Sequence, residues 1–415
     1  MKRILIVCLM LLLCCGCSRE QAGQSYKCDD YTYLLLEDGT VEITRYSGRD
    51  KEIVIPETLN RHPVSAIGKE AFVRNTIVTA VDIPKGVKTI GKAAFNGCKK
   101  LASVTLPDGL LTIGAQAFYE CESLVSVQLP EGLESIGERA FSQCESLTEV
   151  VLPESVSQVG TSAFSLCRNL QHIQLPAKLN KIPSGMFDGC SKLREITLPD
   201  GIKEIGSIAF SDCESLQEII LPEGVERIGT DVFSRTAIQS IRIPDSVIYV
   251  TGNPFAVCLA LDEIIISPDH PVLSMVDGVL FDHQADRLIC YPRTLEADHY
   301  SIPEGTKIVG SSAFVGCDLL SIDIPDSVRI IDPAAFYFCS NVRSFELPEG
   351  VTELGKMSFA YCRRLESINF PASLTSIDKD VFDGNMKVEV RVCEGSYAAE
   401  WAEGKDLNCV VETAN

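Results

Sequence analysis

Apolar positions recur along most of this chain with a period of 23 residues. In residues 101–123, Leu101, Val104 and Leu106 have the spacing of a short strand that turns its apolar side inward. Two further apolar steps follow within the same unit, the last of them at helical spacing. Self-similarity at such a period is typical of a stacked solenoid. Prolines at 23-residue intervals mark seven of the units: Pro84, Pro107, Pro130, Pro153, Pro176, Pro199 and Pro222.

Turn-forming residues separate these apolar steps. Pro107 follows the predicted strand, where its missing N–H ends the ladder. Gly114 stands at a turn that we expect to need a positive φ, and residues 115–121 predict one short helical turn on the outer side. A single unit cannot fold alone: burying an inward side chain contributes about 1.5–3 kcal/mol, whereas ordering each residue's backbone costs about 1–2 kcal/mol. Stacking must therefore cover the flanks of every unit.

A phenylalanine in each unit allows the units to be counted. The repeated pattern LxxIxLPxxLxxIGxxAFxxC resembles the BspA-like (Treponema-type) leucine-rich repeat family over roughly residues 31–412. The resemblance implies an α/β repeat solenoid, a right-handed curved stack with a concave parallel β-sheet and short helical turns outside. It also implies adhesion or other protein binding at a bacterial surface, without catalysis. The thirteen residues are Phe72, Phe95, Phe118, Phe141, Phe164, Phe187, Phe210, Phe233, Phe255, Phe314, Phe336, Phe359 and Phe382.

The start of the chain has the composition of an export signal. Two basic residues precede an apolar stretch, residues 4–13, that is too short to cross a membrane comfortably. The stretch ends in a sequence that resembles a lipobox, although Cys14 stands where leucine is usual. We expect residues 1–16 to be a signal peptide and Cys17 to be lipidated, which would anchor the protein on the outer face of a bacterial membrane. An ordinary cleaved signal is the alternative.

Two stretches precede the regular units. Residues 17–27 are polar and predict a lipidated N-terminus with a short tether. Residues 28–55 contain Asp38-Gly39 between two β-rich runs, which is a strong hairpin signal, and predict an antiparallel β cap over the open end of the solenoid. Nine units then fill residues 56–266.

The period breaks twice after that. Residues 267–300 contain Asp277-Gly278 and predict a β-meander inserted between two repeat blocks. Four units follow in residues 301–385. Residues 386–415 predict a C-terminal cap with a strand, a short helix over 396–403 and a last strand. No hydrophobic tail follows, so no C-terminal membrane anchor is expected.

The charge of the chain narrows the choice of partners. The formal net charge is −20, and residues 1–16 carry two basic and no acidic side chains, so the chain without them is near −22. This balance disfavours nucleic acid and anionic membrane surfaces, so membrane contact is expected through the lipid only. It is compatible with basic protein partners, but acidic side chains also keep an extended protein soluble.

Ten of the 18 cysteines occupy one position of the repeat. Identical positions in stacked rungs point their side chains in parallel, whereas a disulfide needs convergent Cβ atoms about 3.5–4.5 Å apart. We therefore expect these thiols to be buried and reduced. Cys393 and Cys409 lie on predicted neighbouring strands and could pair with each other. The ten are Cys98, Cys121, Cys144, Cys167, Cys190, Cys213, Cys258, Cys317, Cys339 and Cys362.

No catalytic or cofactor motif accompanies the repeats. The five histidines do not fall in a metal-ligand spacing, and no nucleophile or phosphate-loop motif is present. The insertion contains two Asp-His pairs, at 269–270 and 282–283, that could hold a divalent cation, but both residue types are ordinary in turns. We expect no enzyme activity and no cofactor.

Variable side chains on the concave strands are the remaining candidates for function. Packing determines which residues occupy the inward positions, and backbone geometry determines which residues occupy the turns. Only the side chains of these columns are therefore free to vary with the ligand. We expect them to bind a protein ligand, and the resemblance implies adhesion to host or matrix proteins. A carbohydrate or cell-wall binding module, which would favour an aromatic platform that the columns lack, and a structural spacer are the alternatives. The candidate residues are Gln128, Val151, Gln174, Glu195, Thr197, Glu218, Ile220 and Arg242.

Overall fold

The computed structural model describes residues 20–284, 286–385, 388–403, 405 and 407–412. Its strands stack as the rungs of a parallel β-solenoid, which confirms the predicted repeat stack. A regular unit contains two short strands, for example Ser103–Thr105, here called a first strand, and Thr112–Ile113, here called a second strand. The apolar pattern predicts the first strand but does not distinguish the second.

First strands pair in parallel with the equivalent strand one unit away, so that Ser103 lies opposite Ala80. Their middle residues are buried and the flanking ones exposed, as period-two alternation requires. The strands are Glu52–Val54, Ala80–Asp82, Ser103–Thr105, Glu149–Val151, His172–Gln174, Ser240–Arg242, Glu263–Ile265, His299–Ser301, Ser321–Asp323, Ser344–Glu346, Ser367–Phe370, Glu389–Cys393 and Asn408–Glu412.

Second strands form the other ladder, which continues the sheet of the N-terminal strands. This ladder is interrupted along the chain and starts again after each interruption. The N-terminal strands are Ser25–Cys28, Tyr31–Leu35, Val41–Tyr46, Thr58–Leu59 and His62–Ile67. The others are Thr89–Ile90, Thr112–Ile113, Ser135–Ile136, Gln158–Val159, Lys181–Ile182, Glu204–Ile205, Arg227–Ile228, Tyr249–Val250, Leu273–Val276, Val279–Asp282, Arg287–Cys290, Ile308–Val309, Ile330–Ile331, Glu353–Leu354 and Ser376–Ile377.

The second ladder breaks between Gln158–Val159 and Lys181–Ile182 for an identifiable reason. In neighbouring units a glycine follows the strand, and its N–H donates to the carbonyl one rung back, as Gly160 does to Ile136 at 2.8 Å. Pro183 occupies this position and has no N–H to donate. The proline therefore removes one rung-to-rung hydrogen bond where the sheet is interrupted.

The outer side consists of successive turns, so the predicted helical turns are wrong. Gln116 and Glu120 both have φ of 58°, which no α-helix accommodates. The N–H of Gln116 donates to the Glu138 carbonyl of the next unit at 2.7 Å, so the outer amides bond between rungs. The only helix among the described residues is Tyr397–Glu403, where Ser396 Oγ accepts from the Ala399 N–H at 3.2 Å, as predicted for an N-cap.

Gly114 does not have the positive φ that the sequence predicts. A Cβ on this residue would lie 2.8 Å from the Gly91 carbonyl carbon and 2.8 Å from Lys92 N, both backbone atoms of the preceding rung. The glycine is thus required by the close approach of two backbones rather than by a left-handed turn.

The phenylalanine column forms the centre of the core. Phe141 is fully buried and stacks on Phe118 and Phe164 with ring centroids 5.2 and 5.4 Å apart. Tyr46 extends the column at its N-terminal end by stacking on Phe72 at 5.1 Å. The buried apolar residues form two clusters, one reaching from residue 31 to 290 and the other from 279 to 402.

The cysteine column is buried beside the phenylalanines, and nine of its thiols donate to the phenylalanine carbonyl of the preceding unit. The distance from Cys144 Sγ to Phe118 O is 3.2 Å, and burial raises the pKa of the Cys144 thiol well above its ordinary value. Asn385 takes the same role in the last unit, donating to Phe359 O at 2.6 Å. The nine are Cys98, Cys121, Cys144, Cys167, Cys190, Cys213, Cys258, Cys339 and Cys362.

The C-terminal strands are neighbours, but their register opposes a bond between Cys393 and Cys409. The strands Glu389–Cys393 and Asn408–Glu412 are parallel, with Cys409 opposite Val390 and Cys393 opposite Glu412. An offset of three residues corresponds to about 10 Å along a strand, beyond the reach of a disulfide.

The N-terminal cap begins earlier in the chain than expected. Tyr31–Leu35 and Val41–Tyr46 form the antiparallel hairpin predicted at Asp38-Gly39, but a third antiparallel strand, Ser25–Cys28, begins within the predicted tether, residues 17–27. Glu20 is also fixed, because its Oε1 accepts hydrogen bonds from Tyr33 Oη at 2.7 Å and Asn60 Nδ2 at 3.1 Å. The next strand, Glu52–Val54, pairs in parallel with the first repeat rather than continuing the meander.

The insertion is part of the solenoid. Its first three strands are antiparallel, as predicted for a meander. The third, Arg287–Cys290, then pairs in parallel with Ile308–Val309, and Tyr291 stacks on Phe314 at 5.3 Å. Tyr291 therefore takes the place of a phenylalanine in a shortened rung, a role that the broken period conceals. Within the described part of the chain, no helix has the length and apolar character needed to cross a bilayer.

Asp231→Asn is expected to stabilise the protein at neutral pH. Burial raises the pKa of Asp231 to about 6, and Oδ1 has no hydrogen-bond partner among the described residues. Between pH 4 and pH 6 the folded state therefore keeps the Asp231 proton, whereas the unfolded chain has lost it. The contribution of the protonated carboxyl to stability is complete below pH 4 and is lost as the pH rises through 6. We expect a gain of about 1–2 kcal/mol at pH 7.5, measured by urea denaturation. An equal gain at pH 3.5 would contradict this cause.

Candidate ligand-binding groove

A groove of about 910 Å³ opens on the predicted concave face, across three successive first-strand positions. These are residues 172–174, 195–197 and 218–220. Together with the turns beside them, they define what we call the groove. It is lined by Glu154, His172, Ile173, Gln174, Leu175, Ala177, Glu195, Ile196, Thr197, Leu198, Pro199, Asp200, Gly201, Glu218, Ile219, Ile220 and Pro222.

The alternation of the strands separates the groove into an apolar floor and polar walls. Ile173, Ile196 and Ile219, the middle residues of the three rungs, are buried and form the floor. The residues on either side of them point outward. Ile220 is an exception to the polar walls, because its side chain is 74% exposed. The groove thus presents one solvent-exposed apolar side chain beside polar ones.

The groove coincides with an interruption of the first-strand ladder. Residues 195–197 and 218–220 occupy strand positions, yet they form no β-bridge with the rungs on either side. The second ladder continues across the same units through Lys181–Ile182, Glu204–Ile205 and Arg227–Ile228. Only one of the two ladders is therefore open at the groove.

Charge in the groove is of one sign. Four carboxylates line it, those of Glu154, Glu195, Asp200 and Glu218, whereas no lysine or arginine does. The last three of these form no ion pair among the described residues, and Glu154 Oε2 accepts the Ala177 N–H at 3.0 Å. Ion pairs do occur elsewhere in the molecule, as in Lys99–Glu122 at 2.7 Å, Lys203–Glu226 at 3.1 Å and Arg235–Asp212 at 3.1 Å.

The structure brings five of the eight predicted site residues together. Gln174, Glu195, Thr197, Glu218 and Ile220 line the groove, and the other three, Gln128, Val151 and Arg242, lie outside it. All eight side chains are exposed. The Arg242 guanidinium is not free, since it pairs with the Glu223 carboxylate. Cys17, the predicted lipidation site, lies outside the described residues.

Sequence reasoning did not find the two acidic wall residues, Glu154 and Asp200. Both lie in turns, where side chains are expected to serve backbone geometry. The fixed period offers a signal for them, because stacking places each turn beside the strand columns of neighbouring units. The repeat alone cannot show which turns border a groove.

The acidic and histidine residues of the insertion do not assemble a metal site. His270 is buried, and its Nδ1 accepts the N–H groups of Val272 at 3.2 Å and Leu273 at 3.0 Å. His299 contacts the hydroxyls of Ser301 and Ser321, and its Nε2 lies 3.1 Å from Asp323 Oδ2, a residue outside the insertion. Among the described residues, no group of three or more histidine, cysteine, aspartate and glutamate side chains could hold a metal ion.

An aromatic cluster lies on the outer turns of the second block. Phe338 and Tyr361 occupy equivalent positions of successive units and stack with ring centroids 5.5 Å apart. Tyr337 touches both rings, and the Arg363 guanidinium lies 5.6 Å from the Phe338 ring. Phe338 is 37% exposed. The first-strand columns lack such a platform.

Known proteins resemble this chain in sequence and in fold. A sequence profile of the BspA type leucine rich repeat region (6 copies) matches residues 65–194, 180–277 and 290–389. The solved structure of a leucine-rich repeat protein from Bacteroides ovatus is 30% identical, and the match covers 94% of this chain and 100% of that one with a TM-score of 0.60.

Two further solved structures are similar. A leucine rich cell surface protein from Faecalibacterium prausnitzii is 28% identical with a TM-score of 0.59, covering 95% of this chain and 96% of that one. The leucine rich repeat protein of T. pallidum is 36% identical over 47% of this chain and 92% of its own, with a TM-score of 0.45. Among curated proteins, none is significantly similar to this chain.

Proposed function

Because the chain belongs to the BspA-type leucine-rich repeat family, we propose that it is a non-catalytic, exported bacterial surface protein that binds a protein ligand through its groove. The observation that carries this proposal is the groove itself, where exposed variable side chains sit on units that the second ladder holds together by hydrogen bonds. A scaffold that is already ordered loses little conformational entropy on association. Adhesion to host or matrix proteins is the activity we propose.

Placement at the cell surface is supported by the Faecalibacterium prausnitzii structure, which is that of a cell surface protein. We propose lipidation of Cys17 as the anchor, on the strength of the Gly-Cys pair that ends a short apolar stretch. No partner other than the protein ligand and the membrane that holds the lipid is proposed.

Cys17→Ala is expected to abolish lipid attachment. A thioether to the lipid needs the Cys17 thiol, so the variant should accumulate unprocessed or leave the membrane fraction. Detergent partitioning and intact mass of the expressed protein measure this directly. Unchanged processing and partitioning of the variant would show that an ordinary signal, and not a lipobox, precedes the mature chain.

The triple variant Gln174→Ala, Glu195→Ala, Ile220→Ala is expected to lose ligand binding at least tenfold. These three side chains are exposed in the groove, so their truncation should leave the fold unchanged. The measurement is binding to a panel of purified extracellular matrix proteins by biolayer interferometry. A matched control is Gln128→Ala, Glu149→Ala, Val151→Ala, which truncates comparable residue types on the same face outside the groove and should bind normally.

The same panel separates the rival functions. If both triple variants lost the same binding affinity, the binding site would extend over the whole face rather than the groove alone. If neither variant lost affinity, the binding site would lie on another surface. A carbohydrate-binding function is favoured by the aromatic cluster around Phe338 and Tyr361. Binding that Phe338→Gly removes and the groove variant does not would support that function, and glycine is tolerated there because units elsewhere carry Gly97 or Gly189 at positive φ.

A further inference from the structure

The carboxylates of the groove stand in a row without counterions. Glu195 and Glu218 hold equivalent positions of neighbouring units, whose core phenylalanines, Phe210 and Phe233, have ring centroids 5.8 Å apart. Both are exposed, and neither has an ion-pair partner among the described residues. Glu154 and Asp200 add two carboxylates from the turns. Like charges held this close repel each other, so an arriving cation lowers the electrostatic energy of the groove.

The apolar floor of the groove and the exposed Ile220 side chain indicate that the ligand is not a simple cation. Buried isoleucines form the base of the groove, and the Ile220 side chain is 74% exposed at its wall. A ligand that satisfies both features carries positive charge and an apolar group side by side. Lysine or arginine next to an aliphatic or aromatic residue has this character, whereas a metal ion does not contribute the apolar part.

The dimensions agree with a short extended segment. The core phenylalanines of the three units lie 5.5 and 5.8 Å apart, so the groove spans about 11 Å, which corresponds to about four residues of extended chain. A second copy of this chain is a poor occupant, because each copy carries a net charge of −20 and the copies repel. A basic partner is attracted over a longer range by the same charge.

We propose that the groove receives an extended, lysine- or arginine-bearing segment of the protein partner, with the basic side chains at Glu195 and Glu218 and an apolar side chain against Ile220. The inference rests on the proposed function and specifies its partner. Electrostatic pairing at such exposed carboxylates should govern selectivity and association rate, while the apolar contact should slow dissociation.

The test uses synthetic peptides and the full mature chain. A fluorescein-labelled peptide with the core Lys-Ser-Lys-Ser-Ile, which places both lysines and the isoleucine on one side of an extended chain, is titrated with the protein and followed by anisotropy. The peptide is expected to bind at least tenfold tighter than a Glu-Ser-Glu-Ser-Ile peptide and than a Lys-Ser-Lys-Ser-Gly peptide. Its affinity should fall at least fivefold when the salt concentration rises from 50 to 300 mM.

Charge-neutral variants locate the effect. Glu195→Gln, Glu218→Gln keeps shape and removes two charges, and it should weaken peptide binding at least tenfold. Glu149→Gln, Glu263→Gln removes two charges from equivalent strand positions outside the groove and should change affinity less than twofold. Equal effects of the two pairs, equal binding of the acidic peptide or no binding of the basic peptide would overturn the inference.

The matrix-protein panel separates this failure from failure of the proposed function. If the groove triple variant loses a panel protein while Glu195→Gln, Glu218→Gln retains it fully, the groove binds protein without using its charges, and only the inference fails. If the basic peptide binds with the expected affinities and the Glu195→Gln, Glu218→Gln variant weakens that binding, the inference holds for any panel protein that the groove binds.

Discussion

Phe141→Ala is expected to destabilise the first repeat block by about 4 kcal/mol. The ring is fully buried and stacks on the rings of the units before and after it. Its removal leaves a cavity that neighbouring backbones cannot fill, because hydrogen bonds between rungs fix their spacing. Phenylalanine-to-alanine changes in rigid cores cost about 3–5 kcal/mol. Loss of stacking on both sides places Phe141 in the upper part of that range.

Two optical signals can report this loss separately. The single tryptophan, Trp401, packs on Phe370 in the C-terminal cluster, so its fluorescence follows that end of the molecule. Circular dichroism follows all the strands. We expect Phe141→Ala to shift the dichroism transition in urea and to leave the fluorescence transition almost unchanged, since repeats couple chiefly to their neighbours. Phe141→Leu, which retains most of the volume, should cost about 1–1.5 kcal/mol. Coincident shifts in both signals would show that the two clusters unfold as one.

Gly114→Ala is expected to cost about 2–3 kcal/mol, although it adds a single methyl group. The new Cβ would lie 2.8 Å from backbone atoms of Gly91 and Lys92, and backbone held in a rung cannot move aside as a flexible side chain can. The rungs would have to separate locally, which weakens the hydrogen bond from Gly114 N to Ile90 O, now 2.7 Å. The free energy of unfolding in urea measures the effect.

Gly132→Ala is the matched control for this change. Its added Cβ would meet Asp108 O at 3.5 Å, an ordinary contact, and its φ is not positive. The substitution should therefore change stability by less than about 0.5 kcal/mol, in line with surface changes that create no strain. An equal loss in both glycine variants would contradict the close approach of rungs as the cause, because the reduced flexibility of the unfolded chain that both changes share raises stability rather than lowering it.

The period of the fold was predictable because packing determines it. Inward leucine, isoleucine, phenylalanine and cysteine positions repeat every 23 residues, so the number of units and the buried columns follow from the sequence. The outer turns were not predictable in the same way. Gln116 and Glu120 adopt left-handed conformations without the glycine or asparagine that usually signals them. The hydrogen bonds that hold these residues run to the next unit, and a single unit's sequence does not reveal them.

The candidate site could be predicted only to the level of the face that carries it. Alternation identifies which side chains of a strand point outward, and all eight predicted residues do so. The position of the groove depends on where the first-strand ladder is interrupted and on which turns border the interruption. The sequence of a single unit predicts neither. Tyr291 shows the same limit, since it acts as a phenylalanine of the column within a stretch whose period is broken.

If Cys17 carries the proposed lipid, the fixation of Glu20 limits how far the protein can stand from the membrane. Tyr33 and Asn60 hold its carboxylate, and His62 Nε2 lies 3.1 Å from its other oxygen. With the lipid on Cys17, only three residue steps, at most about 10 Å of chain, separate the anchor from the rigid cap. The groove begins five first-strand rungs beyond Glu52–Val54, roughly 24 Å along the stack. Under the proposed anchoring, a protein bound in the groove would therefore have to approach to within a few nanometres of the bilayer.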